Sequence, residues 1–106
     1  MYVKTFRYKV RRTLIDEVLD VNREMFERYK AYTQLKKAIL IRNVDEDLLE
    51  VLEMYVFESW NKWKELMEKT KDDKELEDLW NKFISLVSED EIIEEDWEIL
   101  EENLSE

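Results

Sequence analysis

From Tyr2 to Arg11 the chain alternates, with Tyr2, Phe6, Tyr8 and Val10 on one side and Thr5, Arg7, Lys9 and Arg11 on the other. A period of two in aromatic and β-branched residues predicts a half-buried strand, assigned to residues 1–12. The pattern then changes. Thr13 is a candidate N-cap with acids behind it, and Leu14, Val18, Val21, Met25, Tyr29 and Tyr32 recur at helical spacing. The spacing continues through Leu35, Ala38 and Ile39, which predicts a helix over 13–42, with a short strand near 38–41 as the alternative. Leu48, Leu52, Tyr55, Val56, Trp60, Trp63, Leu66 and Met67 mark a second long helix over 45–70.

Asp72 to Glu75 reads as a capping box that opens a helix over 73–87 with Leu76, Leu79, Trp80, Phe83, Ile84 and Val87 on one face. A second box, Ser88 to Glu91, opens an acidic amphipathic helix over 88–106 whose narrow seam is Ile92, Ile93, Trp97, Leu100 and Leu104. Together these elements predict one mainly α domain. Its form is a three- or four-helix bundle of long amphipathic helices carrying an N-terminal β-strand.

Composition removes most site chemistry. The 106 residues contain no Gly, Pro, Cys or His. That excludes histidine triads, cysteine nucleophiles, thiolate or imidazole metal sites and glycine-rich phosphate loops. No cofactor and no metal is expected, and the chain reads as a non-enzyme. With 19 Glu, 11 Lys and one Gln the composition resembles that of thermophile proteins, and an archaeal or viral source fits it. No apolar leader follows Met1 and no 18-residue apolar run occurs, so the expectation is a cytoplasmic protein.

The net charge of -11 is unevenly placed: +6 over residues 1–42 and -17 over residues 43–106. Both ends are therefore candidate interaction sites. The basic strand, through Tyr2, Lys4, Phe6, Arg7, Tyr8, Lys9 and Val10, is expected to pair within the chain or in a homodimer. Augmenting a partner's sheet and contacting nucleic acid are the other uses considered. The acidic end, through Glu89, Asp90, Glu91, Glu94, Glu95, Asp96, Trp97, Glu98, Glu101 and Glu102, resembles acidic-tailed accessory subunits and DNA-mimic inhibitors. That resemblance implies a protein partner with a basic surface, drawn from the nucleic-acid machinery and met through electrostatic steering. Direct nucleic-acid binding is disfavoured by the net charge, and no membrane partner is indicated.

Two rival functions remain. One is a structural homodimer joined through the N-terminal strand. The other is a Mg²⁺-dependent nucleotide pyrophosphohydrolase: the spacing of Glu50 and Glu53 with Glu75 and Asp78 resembles the paired acidic motifs of that all-helical family. On a helical wheel Glu50 lies opposite the apolar stripe, Glu53 sits at its margin, and Asp78 points away, so convergence on a metal is not expected. Trp60 and Trp63 are read as core.

Overall fold

Tyr2 to Arg11 forms the first strand, as its alternation predicts, and it needs hydrogen-bonding neighbours on both sides. A computed structural model, describing residues 1–88 and 91–102, shows what supplies them. The order is β1 (Tyr2–Arg11), a 3-10 turn (Arg12–Leu14), α1 (Ile15–Lys30), β2 (Lys36–Asn43), β3 (Leu48–Phe57), α2 (Trp60–Thr70), α3 (Lys74–Leu86) and β4 (Ile93–Glu98). The four strands form one antiparallel sheet in the order β2-β3-β1-β4. This is the split β-α-β arrangement of ferredoxin-like folds, with a helix pair as the second crossover.

The predicted helical bundle is thus overturned, because three of its segments contain strands. The helix over 13–42 stops at Lys30, and Tyr32 and Thr33 turn back onto the Tyr29 carbonyl at 3.0 and 3.2 Å. Residues 36–43, including the alternative strand at 38–41, are β2. Within 45–70 only Trp60–Thr70 is helical. Leu48–Phe57 is a strand in which every second residue, Leu49, Val51, Glu53, Tyr55 and Phe57, is buried. Its other face, Leu48, Leu52, Met54 and Val56, is also largely apolar. A strand apolar on both faces satisfies a helical template as readily as its own period.

The acidic helix over 88–106 is replaced by β4 at Ile93–Glu98. Glu89 and Asp90, and with Leu104 residues 103–106, lie outside the described residues. Glutamate favours helix, but β1 presents a row of cations at a sheet edge that must be paired, and this tertiary demand overrides propensity. The helix over 73–87 is observed as α3. Its N-cap is Asp73, whose carboxylate accepts from the Leu76 amide at 3.1 Å.

Lacking glycine, the chain turns on carboxylates. Between β2 and β3, Asp45 Oδ1 accepts from the amides of Asp47 and Leu48 at 2.8 and 2.9 Å, and Arg12 donates to Asn43 Oδ1 at 2.7 Å. No described residue has a positive φ, so no position calls for glycine.

All three helices cover one face of the sheet. Val18, Val21 and Met25 of α1 and Leu76 and Phe83 of α3 pack on Tyr8, Val10, Leu49 and Val51. Leu66 of α2 packs on Tyr2, Tyr55 and Phe57. On this covered face Lys4, only 6% exposed, reaches Glu94 at 2.5 Å and Asp96 at 3.1 Å on β4. Tyr2 also donates its hydroxyl to Asp96.

Burial works against the Lys4 ammonium, but its hydrogen bonds to Glu94 and Asp96 outweigh burial and leave its pKa raised. The Tyr2 hydroxyl and Lys4 hold Asp96 below its ordinary value. Asp96's contribution is complete above the ordinary aspartate range and is lost as pH falls through the lowered value. Lys4's is complete below the ordinary lysine range and is lost as pH rises through the raised one. The clamp therefore holds across neutral pH.

Charged hydrogen bonds contribute about 1.5–3 kcal/mol, and the two half-exposed carboxylates reduce this, so Lys4→Met should cost about 1–2 kcal/mol in urea unfolding. Amide exchange should rise first across Ile93–Glu98 while β3 stays protected. Unchanged β4 protection would show that backbone pairing alone retains the strand.

Candidate functional site

The alternation of β3 delivers one carboxylate into the covered face among apolar neighbours. Glu53 follows Val51 and precedes Tyr55 on that side, opposite Phe6 on β1 and Ile39 on β2, and only 3% of it is exposed. The Tyr55 hydroxyl reaches back along the strand to donate to Glu53 Oε1 at 2.6 Å. Asn22, on the buried stripe of α1, donates to the Tyr8 hydroxyl at 3.3 Å, and both side chains lie beside Glu53 and favour its charged form. Lys37 of β2 lies half-buried beside them, its ammonium 5.2 Å from the Phe26 ring centre and donating to the Asn22 carbonyl at 3.1 Å.

Burial sets the electrostatics of the cluster. It raises the Glu53 pKa, against the opposing pull of hydrogen bonds from Tyr55 and Tyr8 and the charge of Lys37. Burial and the Glu53 charge push Tyr29 up to about 12 and raise Tyr55 and Tyr8 further, so all three remain neutral hydroxyls. The Lys37 ammonium is lowered, first by burial, although Glu53 favours its charge.

Beside this cluster lies a cavity of about 220 Å³. Glu53, Asn22 and Tyr55 form its polar end, Glu94, paired with Lys4, also lines it, and Phe6, Leu35, Trp63, Met67, Trp80 and Phe83 make its apolar wall. Edge-on ring contacts hold the wall: Phe6 against Tyr55 at 5.9 Å and Phe57 against Trp63 at 5.6 Å. Such a site offers a buried ionisable group beside an aromatic-lined space, a setting in which carboxylates act as proton acceptors and donors.

The sites expected at the two ends are found against each other. Tyr2, Lys4, Phe6, Tyr8 and Val10 point beneath the helices, while Arg7 and Lys9 lie on the opposite face. β3 occupies one edge of β1, and β4 occupies the other along Tyr2 to Arg7, so that stretch has no edge left for a homodimer or a partner's sheet. Glu94 and Asp96 bind Lys4, and Glu95 lies 3.7 Å from Arg7. Glu98 is 3.9 Å from the N-terminal ammonium, and the Trp97 indole donates to Thr5 Oγ1 at 3.2 Å. Glu91, Glu101 and Glu102 are exposed.

Glu50 and Glu53, three apart on a strand, point to opposite faces, and Glu50 pairs with Arg42. Among the described residues no three carboxylates gather closely enough to hold a metal. Trp63 lines the cavity, whereas Trp60 is 49% exposed. Sequence reasoning misses the Glu53 cluster because a helical wheel is the wrong template for Glu53; with a period of two it is a lone acid in the buried row Val51, Glu53, Tyr55. Asn22, within the stripe Val18, Val21, Met25, is the second available signal.

No family model and no curated protein matches the sequence. Solved structures share its fold. An uncharacterized NIPSNAP domain protein from Burkholderia xenovorans superposes with a TM-score of 0.72 at 11% identity, over 93% of this chain and 94% of that one. An antibiotic biosynthesis monooxygenase gives 0.68 at 10% identity, over 95% and 100%. A mutant form of SnoaB, a cofactor-independent oxygenase from Streptomyces nogalater, gives 0.67 at 5% identity, over 95% of each chain. At these identities the likeness establishes the α+β fold alone. Among the described residues no helix is long and apolar enough to cross a membrane.

Because folding raises the Glu53 pKa, the native state holds this proton more tightly than the unfolded chain does, and stability falls as pH rises from the ordinary glutamate value of 4.5 toward the raised one. Within that window each pH unit should cost up to about 1.4 kcal/mol, a slope absent from Glu53→Gln. Urea unfolding of both proteins between about pH 4 and 8 checks this. Parallel curves would mean that Glu53 titrates normally.

Proposed function

We propose that the protein binds a small, mostly apolar molecule of one or two rings in the cavity beneath the helices and exchanges a proton with it at Glu53. The observation that carries this reading is the placement of Glu53, 3% exposed, at the polar end of an aromatic-walled cavity. Its volume of about 220 Å³ is below the roughly 300–1,000 Å³ of drug-sized sites and above the roughly 150 Å³ that admits benzene, which sets the ligand size.

The reaction class follows from the raised pKa. An ionised Glu53 gains more from accepting a proton than a solvated glutamate does, so it is suited to take one from a carbon or oxygen acid on the ligand. Tyr55, as a neutral hydroxyl, orients the carboxylate. Two structures of this fold are described as a monooxygenase and a cofactor-independent oxygenase, which favours a small-molecule role for the scaffold while transferring no residue from them.

The accessory-protein reading, in which the acidic end meets a basic partner of the nucleic-acid machinery, has less support. Glu94, Glu95 and Asp96 already face Lys4 and Arg7. Carboxylates with cations of their own gain less from a basic channel.

1-Tetralone, a bicyclic ketone with exchangeable α protons, is a suitable probe, with naphthalene as a control for shape alone. Amide NMR should show saturable shifts for both at Asn22, Glu53, Trp63 and Trp80. Deuterium exchange at the ketone α carbon should be accelerated by the protein and slowed about 100-fold by Glu53→Gln, with naphthalene binding retained. Leu35→Trp, which fills the cavity, should abolish both. The absence of saturable shifts at millimolar ligand would overturn the reading, and binding without accelerated exchange would reduce it to a binding site.

A further inference from the structure

Strand register puts a second carboxylate in line with Glu53. Phe6 of β1 stands opposite Glu53 on β3 and opposite Glu94 on β4, so the three form one row across the sheet. All three line the cavity beneath the helices. At a strand spacing of about 4.8 Å the backbones of the two glutamates lie roughly 10 Å apart, with Phe6 between them. Tyr55 holds the Phe6 ring edge-on at 5.9 Å, and Trp63 and Trp80 wall the same space.

The two ends of this row differ. Glu53 is 3% exposed and the Glu94 side chain 52%, so the cavity is closed at Glu53 and meets solvent at Glu94. Glu94 gives its Oε1 to the Lys4 ammonium at 2.5 Å. Its Oε2 has no partner among the described residues, and a carboxylate oxygen with free lone pairs accepts further donors. Lys4 keeps Asp96 as a second partner at 3.1 Å, so Glu94 is not its sole support.

Resting on the reading of this cavity as a proton-transfer site, we propose that Glu94 is its specificity-determining residue. It accepts a hydrogen bond from a neutral hydroxyl at one end of the ligand, while the carbon acid at the other end faces Glu53. The ligand class is a para-hydroxyaryl compound whose acidic C–H lies on the ring substituent opposite the hydroxyl. Charge selects the neutral donor. A ligand anion would face two carboxylates, and a ligand cation would meet the Lys4 ammonium, which sits on Glu94 and 5.3 Å from the Trp63 ring centre. Distance selects a single ring. One benzene ring with para substituents, bowed over Phe6 and making contacts of about 3 Å at each end, bridges carboxylates whose backbones are roughly 10 Å apart. A hydroxyl taken from water into an aromatic-walled space requires such an acceptor, because an unpaired donor there opposes binding.

4-Hydroxyphenylacetone, phenylacetone and 4-fluorophenylacetone test this, since they share a benzylic carbon acid and differ in the para group. Amide NMR titration should give the hydroxy compound a dissociation constant about tenfold below the other two, a modest factor because water competes at the half-exposed Glu94. Glu94→Ala should equalise the three constants and leave phenylacetone binding unchanged. Glu94→Gln keeps the side-chain length and a neutral acceptor, guards against loss of the strand in the alanine variant, and should retain about a threefold preference. Equal affinities in the wild-type protein, or a preference undiminished in either variant, would overturn the role of Glu94 and leave the cavity reading standing. Binding of none of the three at millimolar concentration would overturn that reading and this one with it.

Discussion

Lys4 projects from the central strand into the helix-covered side of the sheet, where an ammonium is tolerated only if carboxylates meet it. Glu94 and Asp96 do so, and they are available there only if residues 93–98 run as a strand along the edge of β1. This requirement fixes the last strand against the first, gives β1 its second neighbour and closes the sheet over Tyr2 and Phe57. The two charge-rich ends of the chain are thus halves of one internal contact. Much of the charge asymmetry along the sequence is absorbed in holding the fold together.

The legible parts of the sequence are those with one wet face and one dry face. β1 alternates cleanly, and α1 and α3 show apolar stripes over polar backs; pattern identifies their existence and type, although α1 ends well before its stripe does. β2 and β3 are not legible, because Leu48 to Phe57 is apolar on both sides and residues 35–39 extend the stripe of α1 in phase. Period alone cannot separate a two-sided apolar strand from a buried helix. β4 is hidden differently: its glutamates favour helix, and the reason for its extended form lies some ninety residues away in Lys4 and Arg7.

The candidate site shares that fate. Read with a helical period, Glu53 falls at the edge of a stripe and Glu50 becomes its partner; read with a strand's period, Glu53 is alone in a buried apolar row and Glu50 belongs to the other face. The assignment of period therefore decides which carboxylate is chemically interesting. Asn22 and Lys37 are readable as single polar residues at positions whose neighbours on the same face are apolar. That they converge on Glu53 depends on α1 crossing the sheet over β3, which is a property of the topology.

Polar and apolar residues are mixed on both faces of the sheet. Beneath the helices lie Glu53, Asn22, Lys37, several hydroxyls and Lys4 with its partners Glu94 and Asp96, so arranged that nearly every polar group has a partner; the side open to solvent carries Val3, Leu52, Met54, Val56 and Trp97 beside Arg7, Lys9, Arg42, Glu50 and Glu95. Polar burial of this kind opposes folding unless each group is satisfied, and hydrogen-bonded networks of tyrosines and acids satisfy it at modest net gain. Stability must then come from apolar area elsewhere. In a chain of this size, without disulfides, it comes from the two apolar clusters that the helices press onto the sheet.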